Sequence, residues 1–435
     1  MSAAGEAATP GERGAAPSRR AAFAWAFYDW ANSAFPTVVS TFVIATYFAD
    51  AIAPTPAEGQ AQWAFMQSLA GVAIAILSPV LGAVADAGGR RRLMLALCTV
   101  GVSVTTAGLW WAEPNPSFAF WALLCVGLGT VAFEVGNVFY NSMLLQVATP
   151  DRYGRLSGLA WGLGYAGGLT CLTVALFLFV WPNPSPLGLD RAQAEHVRAV
   201  ALLVAAWVLV FGWPVLLALP DPPGALRPPL RQAARRGLVE VVALIRTLSW
   251  RTPLARFMAA RLFYTDGLNT LFILGGIYAA GVFGFTYEET LLFGIAINVT
   301  AGLGAAAFGL VEDRIGSRRT VVIALGAIMA IGIGLLVAEG KPAFWILALL
   351  IGVFFGPAQA ASRTLMAKMV PAGEASAHFG LFALSGRVTG FLGPAVLGAV
   401  TAATSSQRAG MATVVVFLGI GLALLLTVRE PPRAA

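Results

Sequence analysis

Twelve apolar runs, each about as long as a bilayer is thick, divide this chain and constrain its fold more than any other feature. A helix needs about 20 apolar residues to cross the hydrocarbon core. The runs fall at 25–49, 62–84, 93–112, 118–140, 157–180, 199–219, 258–283, 290–311, 320–338, 343–366, 379–402 and 409–428. Of 435 residues, 58% are hydrophobic and 11% charged, whereas a soluble protein carries roughly 25% charge. Inside lipid, backbone groups must pair within their own segment or in a closed barrel, so runs of this length read as helices. The 36-residue gap from 221 to 256 leaves six runs on either side. The expected fold is an all-α integral membrane protein with twelve transmembrane helices in two pseudo-symmetric six-helix halves. Its expected divisions are a disordered cytoplasmic tail (1–21), an N-terminal half (22–220), a linker (221–257), a C-terminal half (258–428) and a short cytoplasmic tail (429–435).

Lys and Arg set the orientation, because they gather on the cytoplasmic side of membrane helices. With the N-terminus inside, the inward segments hold 21 of these residues and the outward loops 4. Both termini are therefore expected in the cytoplasm, with the chain in a plasma (bacterial inner) membrane. The net charge of +7 follows from this topology, so nucleic acid is not an expected partner. The first run is too long for a cleavable signal and carries Asp29. Residues 230–250 alternate Arg with Leu, Val and Ile at helical spacing. That pattern predicts an amphipathic helix on the cytoplasmic membrane surface.

The two halves repeat each other. One loop reads Gly82-x-x-x-Asp86-x-x-Gly89-Arg90-Arg91, and another reads Gly309-x-x-x-Asp313-Arg314-x-Gly316-x-Arg318-Arg319. The first run contains Asp29-x-x-Asn32-Ser33, and the seventh contains Asp266-x-x-Asn269-Thr270. Positions i, i+3 and i+4 share a helix face, so each half opens with a carboxylate, an amide and a hydroxyl on one stripe. A duplicated bundle of this kind is typical of secondary transporters. Runs five and eleven are dense in glycine, which lets helices approach closely.

Six charged residues fall inside the runs: Asp29, Glu134, Arg261, Asp266, Arg363 and Arg387. Each costs about 2.5–3.5 kcal/mol at mid-membrane on insertion scales, so they are expected to face a polar cavity and to pair. They lie in runs one, four, seven, ten and eleven. The expected cavity set is Asp29, Asn32, Glu134, Asn137, Asn141, Asp266, Asn269, Arg363 and Arg387. Three carboxylates and three guanidiniums can close into one network. Asp29 and Glu134 rank ahead of Asp266 as proton carriers, because Arg261 lies five residues from Asp266. The repeated loops form the expected gate: Gly82, Asp86, Gly89, Arg90 and Arg91 in one half, Gly309, Asp313, Gly316, Arg318 and Arg319 in the other. A carboxylate there can accept from a neighbouring helix N-terminus, latching the cytoplasmic side in an outward-open state.

Cys98, Cys125 and Cys171 lie within runs and read as small apolar residues. The sequence has no Walker loop, metal constellation or nucleophile triad. No enzyme activity and no cofactor are expected.

The 82–91 and 309–318 loops resemble the signature of the major facilitator superfamily, the first departing from it at Ala87. Tyr28-Asp29-Trp30-Ala31-Asn32-Ser33, Phe139-Tyr140-Asn141 with Gly154-Arg155-x-Ser157-Gly158, and Asp266-Gly267-x-Asn269-Thr270 are similar to the vacuole effluxer-like family, with its autophagy-related members and bacterial relatives. The resemblance covers roughly 22–428. It implies a major facilitator fold and a monomeric, proton-driven carrier in the lipid bilayer, with amino acids or small peptides as the favoured small-molecule substrate. Sugars or drugs as substrate, a non-transporting sensor or scaffold, and a lipid flippase remain open at this point, as does the direction of transport.

Overall fold

The computed structural model describes residues 18–430 apart from 220–227, 248, 372, 388 and 391. The expected N-terminal tail up to residue 17, the Pro-rich start of the linker and the last five residues lie outside the described residues.

Every regular element among the described residues is helical. The first six long helices are α1 (Arg19–Ile52), α2 (Pro56–Gly88), α3 (Arg91–Trp111), α4 (Pro116–Val147), α5 (Tyr153–Val180) and α6 (Glu195–Ala218). After the linker helix α7 (Leu230–Thr247) come α8 (Pro253–Phe283), α9 (Tyr287–Ile315), α10 (Ser317–Val337), α11 (Lys341–Met369), α12 (Ala375–Ser385), α13 (Leu392–Thr404) and α14 (Gln407–Leu426). Their ends carry the expected chemistry. Thr286 and Glu289 form a reciprocal capping box at the start of α9. The Thr55 and Thr252 side chains cap α2 and α8 just before a proline. Gly89 (φ 58°) and Gly316 (φ 96°) turn the chain after α2 and α9, a backbone region that favours glycine. Within α1 the helix widens to π-type turns over Phe35–Phe42, where Pro36 has no N–H to give to the preceding turn.

Among the described residues, eleven helices are long and apolar enough to span a membrane. The eleventh run, expected as one span over 379–402, is instead two short helices, α12 and α13. Their 11 and 13 residues rise about 1.5 Å each, so together they cover the depth of a single crossing. The break follows from glycine and from two side chains of α8. Arg261 lies where a Cβ on Gly386 would be, with Nη1 2.9 Å from that point. It donates to the Phe382 carbonyl at the end of α12. Asp266 accepts the Gly393 N–H at the start of α13. The Phe382 carbonyl and the Gly393 N–H on either side of the break are thus met by side chains, as non-helical backbone inside a membrane bundle requires.

In the first half α1 packs on α5 and α6, and α3 on α4 and α6. In the second, α9 and α10 pack on α11, and α8 on α14. The halves meet along two related seams, α5 against α9 and α2 against α12. Glycine makes both seams close. A Cβ on Gly158 would lie 2.9 Å from Gly309 Cα, and a Cβ on Gly380 or Gly82 would run into the backbone at Ser78–Pro79 or Ser376. Large apolar side chains such as Phe65, Phe120, Phe177, Ile273 and Leu303 point outward, as a lipid-facing surface requires.

Helix α7 lies against α2. Ala233 is buried there, and a Cβ on Gly237 would come within 2.7 Å of the Val84 nitrogen. Arg231, Arg235 and Arg236 are exposed.

Candidate functional site

The intramembrane charges meet where the halves face each other. Arg363 on α11 reaches across to three helices of the first half. Its Nη1 lies 3.2 Å from Asp29 Oδ2 on α1 and 3.3 Å from Asn141 Oδ1 on α4. Its Nε and Nη2 donate to the Ser157 hydroxyl and carbonyl on α5, both at 2.9 Å. The guanidinium also sits 4.9 Å from the Trp25 ring centre, with Tyr140 and Trp161 slightly farther. Four polar contacts and an aromatic wall hold it in one orientation, which offsets the cost of burying a cation.

A second ion pair joins Arg387, in the break between α12 and α13, to Glu134 on α4. Beside it, Asn32 Nδ2 donates to Asn137 Oδ1 at 2.9 Å. The side chains of Asp29 and Glu134 keep 15% and 18% of their surface accessible. These carboxylates therefore line space rather than solid core.

The expected closed network of six charges is not what forms. Asp29–Arg363 and Glu134–Arg387 are two separate pairs that each bridge the halves. Arg261 and Asp266 do not pair with each other. Arg261 is turned back to Phe382 and Ser385, 2.7 Å from the Ser385 hydroxyl. Asp266 keeps the Gly393 N–H at 2.8 Å. Five residues along a helix place two side chains on different faces, which explains the separation. Asn269 is partly exposed and makes no side-chain hydrogen bond among the described residues. Of the tyrosines, Tyr28 bonds Thr99 and Tyr264 bonds Ser362, so both serve packing within a half.

The repeated loops lie at the end of the bundle where α1 begins and α14 finishes. Asp86 accepts from Arg91 Nε and Nη2 at 2.9 and 2.6 Å, and from the Ala377 N–H at the start of α12 at 2.9 Å. Asp313 accepts from the Gly154 N–H at the start of α5 at 2.9 Å. Each carboxylate thus caps a helix of the opposite half, where helix-end charge favours an anion. The arginine partners differ. Asp86 is paired by Arg91 of its own loop, whereas Asp313 is paired across the seam by Arg155 Nε at 2.6 Å. Arg318, expected on Asp313, instead donates to the Leu425 and Leu426 carbonyls at the end of α14. Arg319 takes no part in that pair. Arg90 is not on Asp86 either, and donates to the Pro228 carbonyl before α7.

Arg155 and Ser157 belong to the Gly154-Arg155-x-Ser157-Gly158 motif but not to the expected site; only the fold brings them to Asp313 and Arg363. Glu312 is a second omission. It is buried at the end of α9 and accepts from Ser317, 2.6 Å away, and from Thr364. Below it Glu430 accepts from Lys368 at 2.8 Å and from the Ser317 and Arg318 N–H groups. No local pattern marks these residues.

Comparison with known proteins gives this geometry a context. Residues 52–432 match the family described as "Vacuole effluxer Atg22 like". YxiO of Bacillus subtilis, named as an uncharacterized MFS-type transporter, is 24% identical over 93% of this chain and 94% of its own length. Autophagy-related protein 22 of Cryptococcus neoformans is 23% identical over 62% of this chain, which spans about half (52%) of that relative. Among solved structures, the human organic anion transporter MFSD10 superposes with a TM-score of 0.72 at 18% identity, covering 94% of this chain and 99% of the other. The proton:xylose symporter XylE does so with 0.71 at 13%, covering 94% and 96%. At these identities the superpositions speak for the fold alone.

Proposed function

Because the chain belongs to the vacuole effluxer Atg22-like family of major facilitator transporters, we propose that it carries a small zwitterion, an amino acid or small peptide, by proton-coupled alternating access. The observation that carries this reading is the Asp29–Arg363 pair, joined across the halves at 3.2 Å with its carboxylate partly accessible. A zwitterion brings its own carboxylate and ammonium. Its carboxylate can take the place of Asp29 at Arg363, and its ammonium can take the place of Arg363 at Asp29, with the Asn32–Asn137 pair alongside. Each ion then exchanges one charged partner for another, so the pair opens without leaving a bare charge.

The proposed cavity residues are Asp29, Asn32, Glu134, Asn137, Asn141, Arg363 and Arg387, with Asn269 on the α8 face. Asp86 and Asp313, with Arg91 and Arg155, form the proposed gate. The excess of Lys and Arg at that end argues that it faces the cytoplasm. With both helix starts capped from across the seam, the cytoplasmic path is shut. The protein works as a monomer in the plasma membrane, its two halves rocking about the cavity.

A thermal-stability screen of the purified protein tests the substrate class. A ligand that binds only the folded state raises the melting temperature by mass action. Amino acids or dipeptides should raise it and their N-acetylated amides, which carry neither charge, should not. Stabilisation by sugars alone would contradict the zwitterion reading.

A further inference from the structure

Asp29 and Asp266 occupy matching places in the two halves, yet their surroundings differ. Each opens an Asp-x-x-Asn-Ser/Thr stripe, and each faces a glycine of the pseudo-equivalent helix. A Cβ on Gly164 would meet the Ser33 hydroxyl and Asp29 Cβ. A Cβ on Gly393 would meet the Thr270 hydroxyl and Asp266 Oδ1, the latter at 3.0 Å. Around Asp29, Arg363 supplies the counter-charge. Around Asp266 no cation does so among the described residues.

The charged groups near Asp266 among the described residues have partners of their own. On its own helix, Arg261 is bound to Phe382 and Ser385. From the helix break, Arg387 is bound to Glu134. Helix α14 presents Phe417 and Leu418 at the neighbouring Gly267. From α11, Ser362 is bound to Tyr264. Helix α13 offers only the Gly393 N–H, which goes to Oδ2. Asp266 is 1% exposed and Thr270 fully buried. Asp266 Oδ1 and the Thr270 hydroxyl both lack a hydrogen-bond partner among the described residues. Two buried oxygens turned to the same point, with neither satisfied, call for a group between them.

We propose that Asp266 is the residue that binds the coupling proton, on Oδ1, beside the Thr270 hydroxyl. The proton adds to Oδ1 of the carboxylate; Oδ2 keeps the Gly393 N–H. One proton cancels an unpaired charge in an apolar site, and a small side-chain rotation then lets the acid O–H donate to the Thr270 hydroxyl. The proposal rests on the reading of the chain as a proton-coupled carrier. It reverses the ranking by sequence proximity, in which Arg261 would have held Asp266 ionised. It also ties the proton to the cycle. The break that Asp266 caps holds Arg387, and Arg387 holds Glu134 of the other half. Opening the halves pulls on this break, wets Asp266 and lets the proton leave.

Infrared spectroscopy of the purified protein reads a protonated carboxylic acid directly, whatever the transported solute. At neutral pH the wild type should show a carboxylic C=O band component that D266N removes and D29N keeps. T270V should shift that component by removing the acceptor, and this second variant keeps the test open if D266N does not fold. In proteoliposomes, uptake driven by a pH gradient should be lost in D266N while solute counterflow persists. Absence of a component assignable to Asp266, or one unmoved by T270V, would overturn the proposal. A wild type that carries no zwitterion yet shows the Asp266 component would refute the substrate reading and leave the proton site standing.

Discussion

Arg363 and Asp29 stand 334 positions apart in the chain and 3.2 Å apart in the fold. That contact joins the two halves of the bundle. The same guanidinium also satisfies the Ser157 carbonyl and the Asn141 side chain. The two partners are therefore unequal. Arg363→Ala leaves a carboxylate, a carbonyl and an amide unmet, and removal of one partner from a buried pair costs about 3–5 kcal/mol. Asp29→Asn keeps an acceptor for the guanidinium and should cost less than half of that. Thermal unfolding of the two variants in detergent checks the order.

The gate carries a second asymmetry. Arg155 ties the halves to each other through Asp313 at 2.6 Å, whereas Arg91 pairs with Asp86 inside one loop and reaches the other half only at 3.4 Å, through the Gly373 carbonyl. Arg155→Ala should therefore open the gate more than Arg91→Ala. Charge-assisted hydrogen bonds are the strong ones, so a several-fold change in the open population is expected. Distances between spin labels on Thr149→Cys and Pro371→Cys, exposed positions in opposite halves, report it. Equal effects of the two variants would contradict this assignment.

Glycine makes the seams close, and that is testable at single positions. A methyl group on Gly158 would press on Gly309 and the Ala305 carbonyl. Gly158→Ala should destabilise the closed seam by about 1–3 kcal/mol, the usual cost of overpacking. Gly71→Ala and Gly326→Ala, where a Cβ meets nothing within 4 Å, should be neutral or slightly stabilising. Melting temperatures separate the two groups.

Much of the fold was legible in the sequence, because a bilayer demands long apolar helices and a duplication repeats its loops in register. The helix break at Gly386 was not, since glycine at four-residue spacing serves tight packing and helix interruption equally well. What decides is whether a neighbour caps the freed backbone, and Arg261 and Asp266 do so from α8. The same holds for the site. Burial cost marked Asp29, Glu134, Arg363 and Arg387 as charges needing partners, yet it carries no information about which partner each one takes. Glu312 escaped notice because it sits at the end of a run, where a carboxylate reads as a loop residue. Arg155 did so because its partner, Asp313, is 158 positions away.

Acid should loosen the base of the second half. Burial pushes the Glu430 carboxyl up, but Lys368 and the Ser317 and Arg318 N–H groups outweigh it and hold the group below its ordinary range. A lowered folded-state value means stability that is present above the unfolded value of about 4.3. It is lost as pH falls through the lower folded value. Glu430→Gln should therefore melt earlier than wild type at neutral pH. The gap should close as pH drops below about 4. Melting curves across that range, with a constant gap as the contrary result, check it.

In the proposed cycle a zwitterion takes over the Asp29–Arg363 pair. Counterflow in proteoliposomes with pooled labelled amino acids, wild type against Asp29→Asn, tests it most directly, since exchange needs no imposed ion gradient. The account predicts exchange by the wild type and its loss in Asp29→Asn. A folded wild-type preparation that exchanges no amino acid, or a variant that exchanges as fast as wild type, would contradict it.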